Sequence, residues 1–264
     1  VLIGEPSISQ LLEKKFHESG LSKVRVYNFG VVASVLRMDI ARFLYEASDY
    51  NPDLVVFYGG GNDIGLPFQA DPRPGYPPNF LAYENNPLIL AGTGEQSWGT
   101  LLKLALFHSR TVRAIGGEGL RRSLVPLDKV RSKVGWNTPQ WSKAVGDGIL
   151  SDITRAAKLC RGFRVGCLFA LQPILEFKLN PAAEELQLKD ASIGAHAKIV
   201  RELILQGLPS VQQQAPIDFV DLSFIFDSTP LAVFWDGIHV YQEYQTVVAD
   251  GVYEAIRKLE IFKN

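Results

Sequence analysis

Apolar side chains recur at helical spacing along residues 7–18 (SISQLLEKKFHE), where Ile8, Leu11, Leu12 and Phe16 share one face. Ser7 stands ahead of that run and Gln10 follows three positions later, the pattern of a capping box, and Gly20 suits the helix end. Residues 24–28 (VRVYN) alternate and predict a strand. Residues 36–48 predict a second helix that stops before Asn51-Pro52. Residues 54–58 (LVVFY) are an unbroken apolar run, as expected of a parallel strand buried on both faces. Further along, 141–160 predict a helix, 164–171 (RVGCLFAL) a second buried strand, and 181–206 a mainly helical stretch. Residues 218–222 (DFVDL) predict a last short strand and 241–259 a closing helix. Apolar strands alternating with helices predict an α/β fold, a parallel sheet in three layers.

Between these halves the pattern changes. Residues 65–99 are rich in Pro, Gly and Asn, 100–114 predict a helix (Leu101, Leu104, Ala105, His108), and 116–140 are irregular. About seventy-five residues is far more than a βα connection needs. The simplest organisation is one domain over 1–264 with an insertion at about 65–140. An insertion over a sheet end forms a lid or substrate wall, or else a decorated surface loop or an oligomer contact.

Composition narrows the function classes. With 47% hydrophobic and 21% charged residues, the 264-residue chain builds a core and is not disordered. Lys plus Arg is 27 against 28 Asp plus Glu, so no electrostatic footprint for nucleic acid exists, and no basic run marks a membrane surface. No apolar window reaches the length of a transmembrane span. Cys160 and Cys167 cannot make a disulfide framework or a four-ligand zinc site, and Cys167 is expected to be buried and structural. The chain starts at Val1 rather than Met, as expected of a fragment or a processed product. No signal peptide is visible, a removed one is compatible, and the neutral charge suits either side of a membrane.

Three segments that follow predicted strands have chemical potential, and ligands of open α/β sheets bind outside the carboxyl ends of strands. Asn28-Phe29-Gly30 offers a glycine N–H at a turn; alone it is an ordinary turn glycine. Gly59-Gly60-Gly61-Asn62-Asp63 lets the chain leave the sheet at an unusual angle, and Asn62 can aim a neutral N–H₂ donor at an oxyanion formed during reaction. A phosphate cradle is a poorer reading, because no GxxxxGK[ST] is present. Asp236-Gly237-Ile238-His239 puts a carboxylate and an imidazole three apart, which fixes the tautomer and stabilises an imidazolium. The plain alternative is that Asp236 caps the last helix and His239 packs beneath it.

Taken together, these blocks resemble the SGNH (GDSL-type) hydrolase family. Asn28-Phe29-Gly30 is similar to its glycine block, Gly60-Gly61-Asn62-Asp63 to its GxND block, and Asp236 and His239 to its DxxH block before a closing helix. Pro52-Asp53-Leu54-Val55-Val56 is also typical. The resemblance covers roughly residues 7–64 and 141–259 and is specific by joint occurrence. It implies a flavodoxin-like sheet and a serine ester hydrolase that removes acyl groups, acetyl among them, from small esters, sugars or lipids. It implies His239 as general base, Asp236 orienting it, and Gly30 N–H with the Asn62 side chain as the oxyanion donors. It implies no metal or organic cofactor. The partner is then a small-molecule, carbohydrate or lipid ester.

The family's serine block follows the first strand, and this chain departs from it. In one reading Val1-Leu2-Ile3-Gly4 is the stub of that strand and Ser7, or Ser9, is the nucleophile in a distorted Gly4-Glu5-Pro6-Ser7. In the other, Ser7 only begins the first helix, as the capping box suggests, and the nucleophile lies upstream of Val1. The second reading leaves a gap beside buried strands with unpaired backbone groups. An upstream segment or a separate N-terminal peptide is then expected to supply the strand. A different class of function, a binding module that has lost its nucleophile, also fits.

The remaining candidates have plainer roles. His17 on a charged helix is expected to be solvated, and His108 and His196 to be packed or surface residues. Phe224, Phe226, Phe234 and Trp235 form an acyl or sugar pocket wall, or simply core. Trp98, Trp136 and Trp141 are placed to stack on a sugar ring if they face solvent.

Overall fold

The computed structural model describes residues 6–69, 72–75 and 127–259, with scattered positions between 98 and 115. Val1 to Glu5, His108, about half of the helix expected over 100–114 and residues 116–126 of the irregular stretch lie outside the described residues.

Helix α1 (Ile8–Glu18) starts at the expected box: Ser7 N–H donates to Gln10 Oε1 at 2.8 Å, and Gln10 N–H to Ser7 Oγ at 3.4 Å. Its Leu12 and Phe16 are buried. Helix α2 (Leu36–Tyr45) ends earlier than expected, because a short 3₁₀ turn at Ala47–Tyr50 takes over. Strand β1 (Leu54–Gly59) leads into α3 (Gly61–Gln69), so regular structure persists a few residues into the predicted insertion. A short helix, α4 (Leu127–Val134), stands where irregular chain was expected. Helix α5 (Pro139–Phe163) is capped by Thr138 and buries Trp141, Val145, Ile149 and Ile153 at four-residue spacing. It leads to β2 (Gly166–Leu171).

The stretch expected to be mainly helical over 181–206 divides into α6 (Ala183–Leu186) and α7 (Ala191–Gln214). The Asp190 carboxylate caps α7 by accepting from Ser192 and Ile193 N–H. Strand β3 (Asp218–Asp221) and α8 (Gln245–Ile256) follow, the latter after a 3₁₀ turn at Gln242–Tyr244.

Among the described residues the sheet has three parallel strands in the order β1-β2-β3. Leu54 to Gly59 pair with Gly166 to Leu171, and Leu168 to Leu171 pair with Asp218 to Asp221. Side chains alternate between two cores. Phe57, Cys167, Phe169 and Leu171 face one, under α2, α3, α5 and α7. Leu168 and Ala170 face the other, under α1 and α8. Helices therefore cover both faces, which is why the strands read as continuous apolar runs.

One predicted element is corrected. Residues 24–28 form no strand. Val24 and Val26 do point inward, onto the same core as Leu54, Val56 and Tyr58 of β1. Yet the Val26 N–H donates to Glu13 Oε2 (2.6 Å), and the Val24 carbonyl accepts from His17 (2.8 Å) and Arg25 (3.0 Å). Side chains, not a neighbouring strand, satisfy these groups, and β1 is the sheet edge on that side among the described residues.

Candidate active site

The triple glycine turns the chain from β1 into α3. Gly60 has φ +97°, and a Cβ on it would lie 2.5 Å from Leu171 Cδ1. Only glycine fits both the dihedral and the space. The turn delivers Asn62 into the first turn of α3, where its Nδ2 donates to the Ser34 carbonyl at 2.9 Å. That bond uses one amide hydrogen and orients the other. The next residue, Asp63, is buried and accepts from Leu36 N–H with both oxygens (3.0 and 3.2 Å), capping α2. Burial pushes the Asp63 carboxyl up to about 7. The Leu36 N–H opposes the rise, and Asp39 and Asp152 add to it. Asp63 is thus a structural tie between the second block and the chain just beyond the first.

The DxxH block sits at the tip of a small antiparallel turn closed by the Phe234–Val240 bridge, with Trp235 N–H donating to the His239 carbonyl at 3.1 Å. Asp236 Oδ1 accepts from the N–H groups of Ile238 (2.8 Å) and His239 (2.7 Å), while its Oδ2 lies 2.8 Å from His239 Nδ1. A carboxylate accepts, so Nδ1 carries the hydrogen and Nε2 is left as the basic nitrogen. Burial pushes the Asp236 carboxyl up, but the two N–H groups and the imidazole outweigh it and hold it below the ordinary carboxylate range. The Trp235 ring stacks on His239 at 4.9 Å and 14°. The His239 side chain is 59% exposed, so it is open to a substrate and not packed under the last helix.

The second and third blocks meet, whereas in the first the Phe29 ring packs on Tyr50, ahead of β1. A Cβ on Gly65, one helical turn beyond Asn62, would lie 3.3 Å from Ile238 Cδ1, so the DxxH turn rests on α3. Leu175 N–H, just past β2, donates to the Gly237 carbonyl at 3.0 Å. Asn62 in turn is bonded to Ser34, four residues past Gly30. The Gly30 N–H itself donates to Asn28 Oδ1 at 2.9 Å, an exposed local bond that a stronger acceptor can displace. Ser7 Oγ is engaged by Ser9 and Gln10. Its neighbour Pro6 accepts from Gln242 Nε2 at 2.6 Å, which ties the start of α1 to the chain three residues past His239. Among the described residues, no hydroxyl hydrogen-bonds His239 Nε2.

The other candidates fall out by burial. Phe226 and Phe234 are core, whereas Phe224 and Trp235 are exposed. Trp141 is buried and donates to the Pro72 carbonyl, and Trp136 packs beside it under Arg131, so neither offers a free face to a sugar. His196 is buried between Trp141 and Phe68. Both cysteines are buried and free; the hydrogen bond that the Cys167 thiol gives to Cys160, together with burial, pushes that thiol up. Among the described residues no group of three or more His, Cys, Asp and Glu is placed to hold a metal, and no helix is long and apolar enough to cross a membrane. Trp235, expected as pocket wall or core, stacks on the candidate base instead, and its place directly before Asp236 is the sequence signal of that partner.

The fold has counterparts among solved structures. The chain shares its fold with two hydrolases. One is an acetyl xylan esterase, with TM-score 0.51, 13% identity, and coverage of 95% of this chain and 90% of that one. The other is an alpha/beta hydrolase enzyme from the metagenome of Lake Arreo, Spain, with TM-score 0.52, 14% identity, and coverage of 94% and 80%. At such identities the likeness is one of fold. No family model and no curated protein matches the sequence.

Proposed function

We propose that this chain is a serine-type ester hydrolase of the SGNH (GDSL-type) kind on a flavodoxin-like three-layer sheet. The observation that carries the reading is the Asp236–His239 pair, bonded at 2.8 Å and resting on the helix that bears Asn62. His239 Nε2 takes the proton of a seryl hydroxyl as that oxygen attacks the ester carbonyl, and Asp236 stabilises the imidazolium. The second Asn62 amide hydrogen and the Gly30 N–H, released from Asn28, receive the oxyanion. The proton then passes to the leaving alcohol, and a water repeats the sequence to free the acid. The serine is Ser7 or Ser9 at the mouth of α1, or one on a strand that pairs with the free edge of β1 and is supplied from upstream of Val1 or by a separate peptide. The fold likeness to an acetyl xylan esterase favours acetylated carbohydrate over other small esters and lipids.

A second reading, a binding module on the same fold, is favoured by the lack of a hydroxyl bonded to His239 among the described residues. Turnover of p-nitrophenyl acetate together with labelling by a fluorophosphonate probe separates the two. The hydrolase reading expects a serine adduct and loss of turnover in His239→Ala with the circular dichroism spectrum unchanged. Undiminished turnover in that variant removes the hydrolase reading. Ligand binding with no adduct and no turnover leaves the binding module.

A further inference from the structure

The segment that carries the candidate base is bolted to a buried ion pair fifty residues away. Lys178 and Glu185 have side chains 1% and 0% exposed, with Nζ and Oε2 2.6 Å apart. The second oxygen of Glu185 faces the DxxH hairpin and accepts from the N–H groups of Val233 (2.7 Å) and Phe234 (2.9 Å). Lys178 Nζ donates to the Leu231 carbonyl at 2.6 Å. Ala182 N–H completes the carboxylate at 2.7 Å. Trp235, stacked on His239, and Asp236, bonded to it, are the next two residues along.

Stability alone is a poor reason for such a pair. Taking two charges out of water costs several kcal/mol each, and apolar residues of like volume commonly serve as well. Apolar residues could not, however, satisfy the two N–H groups and the carbonyl at the base of the hairpin. The carboxylate has two oxygens and the ammonium three hydrogens, which is enough to hold each other and the turn at once. Leu175, three residues before Lys178, adds the bond to Gly237 from the same segment.

Resting on the hydrolase reading above, we infer that Lys178 and Glu185 are positioning residues: together they hold the Trp235–His239 turn so that the imidazole keeps its bond to Asp236 and its approach to the ester. The test uses two variants of the whole chain. Glu185→Asp keeps the charge but draws the carboxylate back from the hairpin. The double variant Lys178→Met with Glu185→Leu removes both charges and the hold while leaving an apolar core. Imidazole ¹⁵N spectra and p-nitrophenyl acetate kinetics are recorded for each. The expected result in either folded variant is a change from the single Nδ1–H tautomer of His239 to a tautomer mixture. It is accompanied by a fall of tenfold or more in kcat with KM within about twofold. An unchanged His239 spectrum in either folded variant overturns the inference, as does an unchanged kcat. If the unaltered protein, together with the segment that supplies the serine, has no ester turnover, the hydrolase reading fails by itself, and the His239 spectra alone decide the positioning role.

Discussion

Lowering the pH should cost this protein stability through one buried ring, His196. The ring is 2% exposed and stacks on Trp141 at 4.5 Å. Its Nε2 faces the Ile64 carbonyl at 3.1 Å, which only accepts, so Nε2 carries the hydrogen and Nδ1 accepts from the Ser142 hydroxyl at 2.8 Å. Burial, opposed in part by the Ile64 carbonyl, lowers its pKa from the ordinary 6.5 to about 4. The unfolded chain therefore binds a proton near 6.5 that the folded chain refuses until about 4. Stability from this group is complete above pH 6.5 and is lost as the pH falls through 4. At about 1.4 kcal/mol per unit the whole loss is roughly 3 kcal/mol, of which about 2 kcal/mol is gone by pH 5.

That is a large share of the 5–15 kcal/mol typical of a domain. His196→Gln supplies an amide N–H for Ile64 and a carbonyl for Ser142 but does not titrate. Urea unfolding followed by tryptophan fluorescence at pH 8, 6.5, 5 and 4.5, on both proteins, gives the difference in stability at each pH. Taking the difference cancels Asp63, whose contribution runs the opposite way over the same range. The wild type should lose about 2 kcal/mol more than the variant between pH 8 and pH 5. Parallel curves would refute the argument, since they would mean that His196 is charged in the fold or titrates as freely as in the unfolded chain.

Asp63 has the opposite sign. Its raised pKa of about 7 makes its contribution complete below the ordinary 3.8 and lost as pH rises through 7, so Asp63→Asn should gain on the wild type by on the order of 4 kcal/mol between pH 4 and pH 8 in the same unfolding assay. Asp236→Asn should lower kcat for p-nitrophenyl acetate by on the order of 10³–10⁴, because Nδ1 loses the acceptor that fixes its hydrogen; thermal unfolding should change little at so exposed a turn. Asn62→Ala should lower kcat roughly 10²-fold or more with KM little altered, the mark of a donor used only in the transition state. Gly60→Ala meets both a positive φ and Leu171 and should destabilise by about 1–3 kcal/mol in urea unfolding.

The sequence alone determined whatever depends on neighbours along the chain. The capping box of α1, the strands β1 and β2, and the Asp236–His239 bond are local, and each was legible from spacing because helix and strand periods and a three-residue turn need no distant partner, although β1 is only partly buried at the sheet edge. Residues 24–28 carried the strand pattern as well, but a strand exists only in a ladder, and side chains from α1 took their backbone groups instead. Tertiary structure alone decided what requires groups far apart in sequence. Asp63 caps a helix twenty-seven residues before it, Ile64 and Ser142 meet on His196, and Lys178 and Glu185 hold a turn some fifty residues on. No period or spacing marks such pairings. A charge is driven inside only where folding has already gathered enough hydrogen-bonding partners to replace the water it leaves, and that gathering exists only in three dimensions.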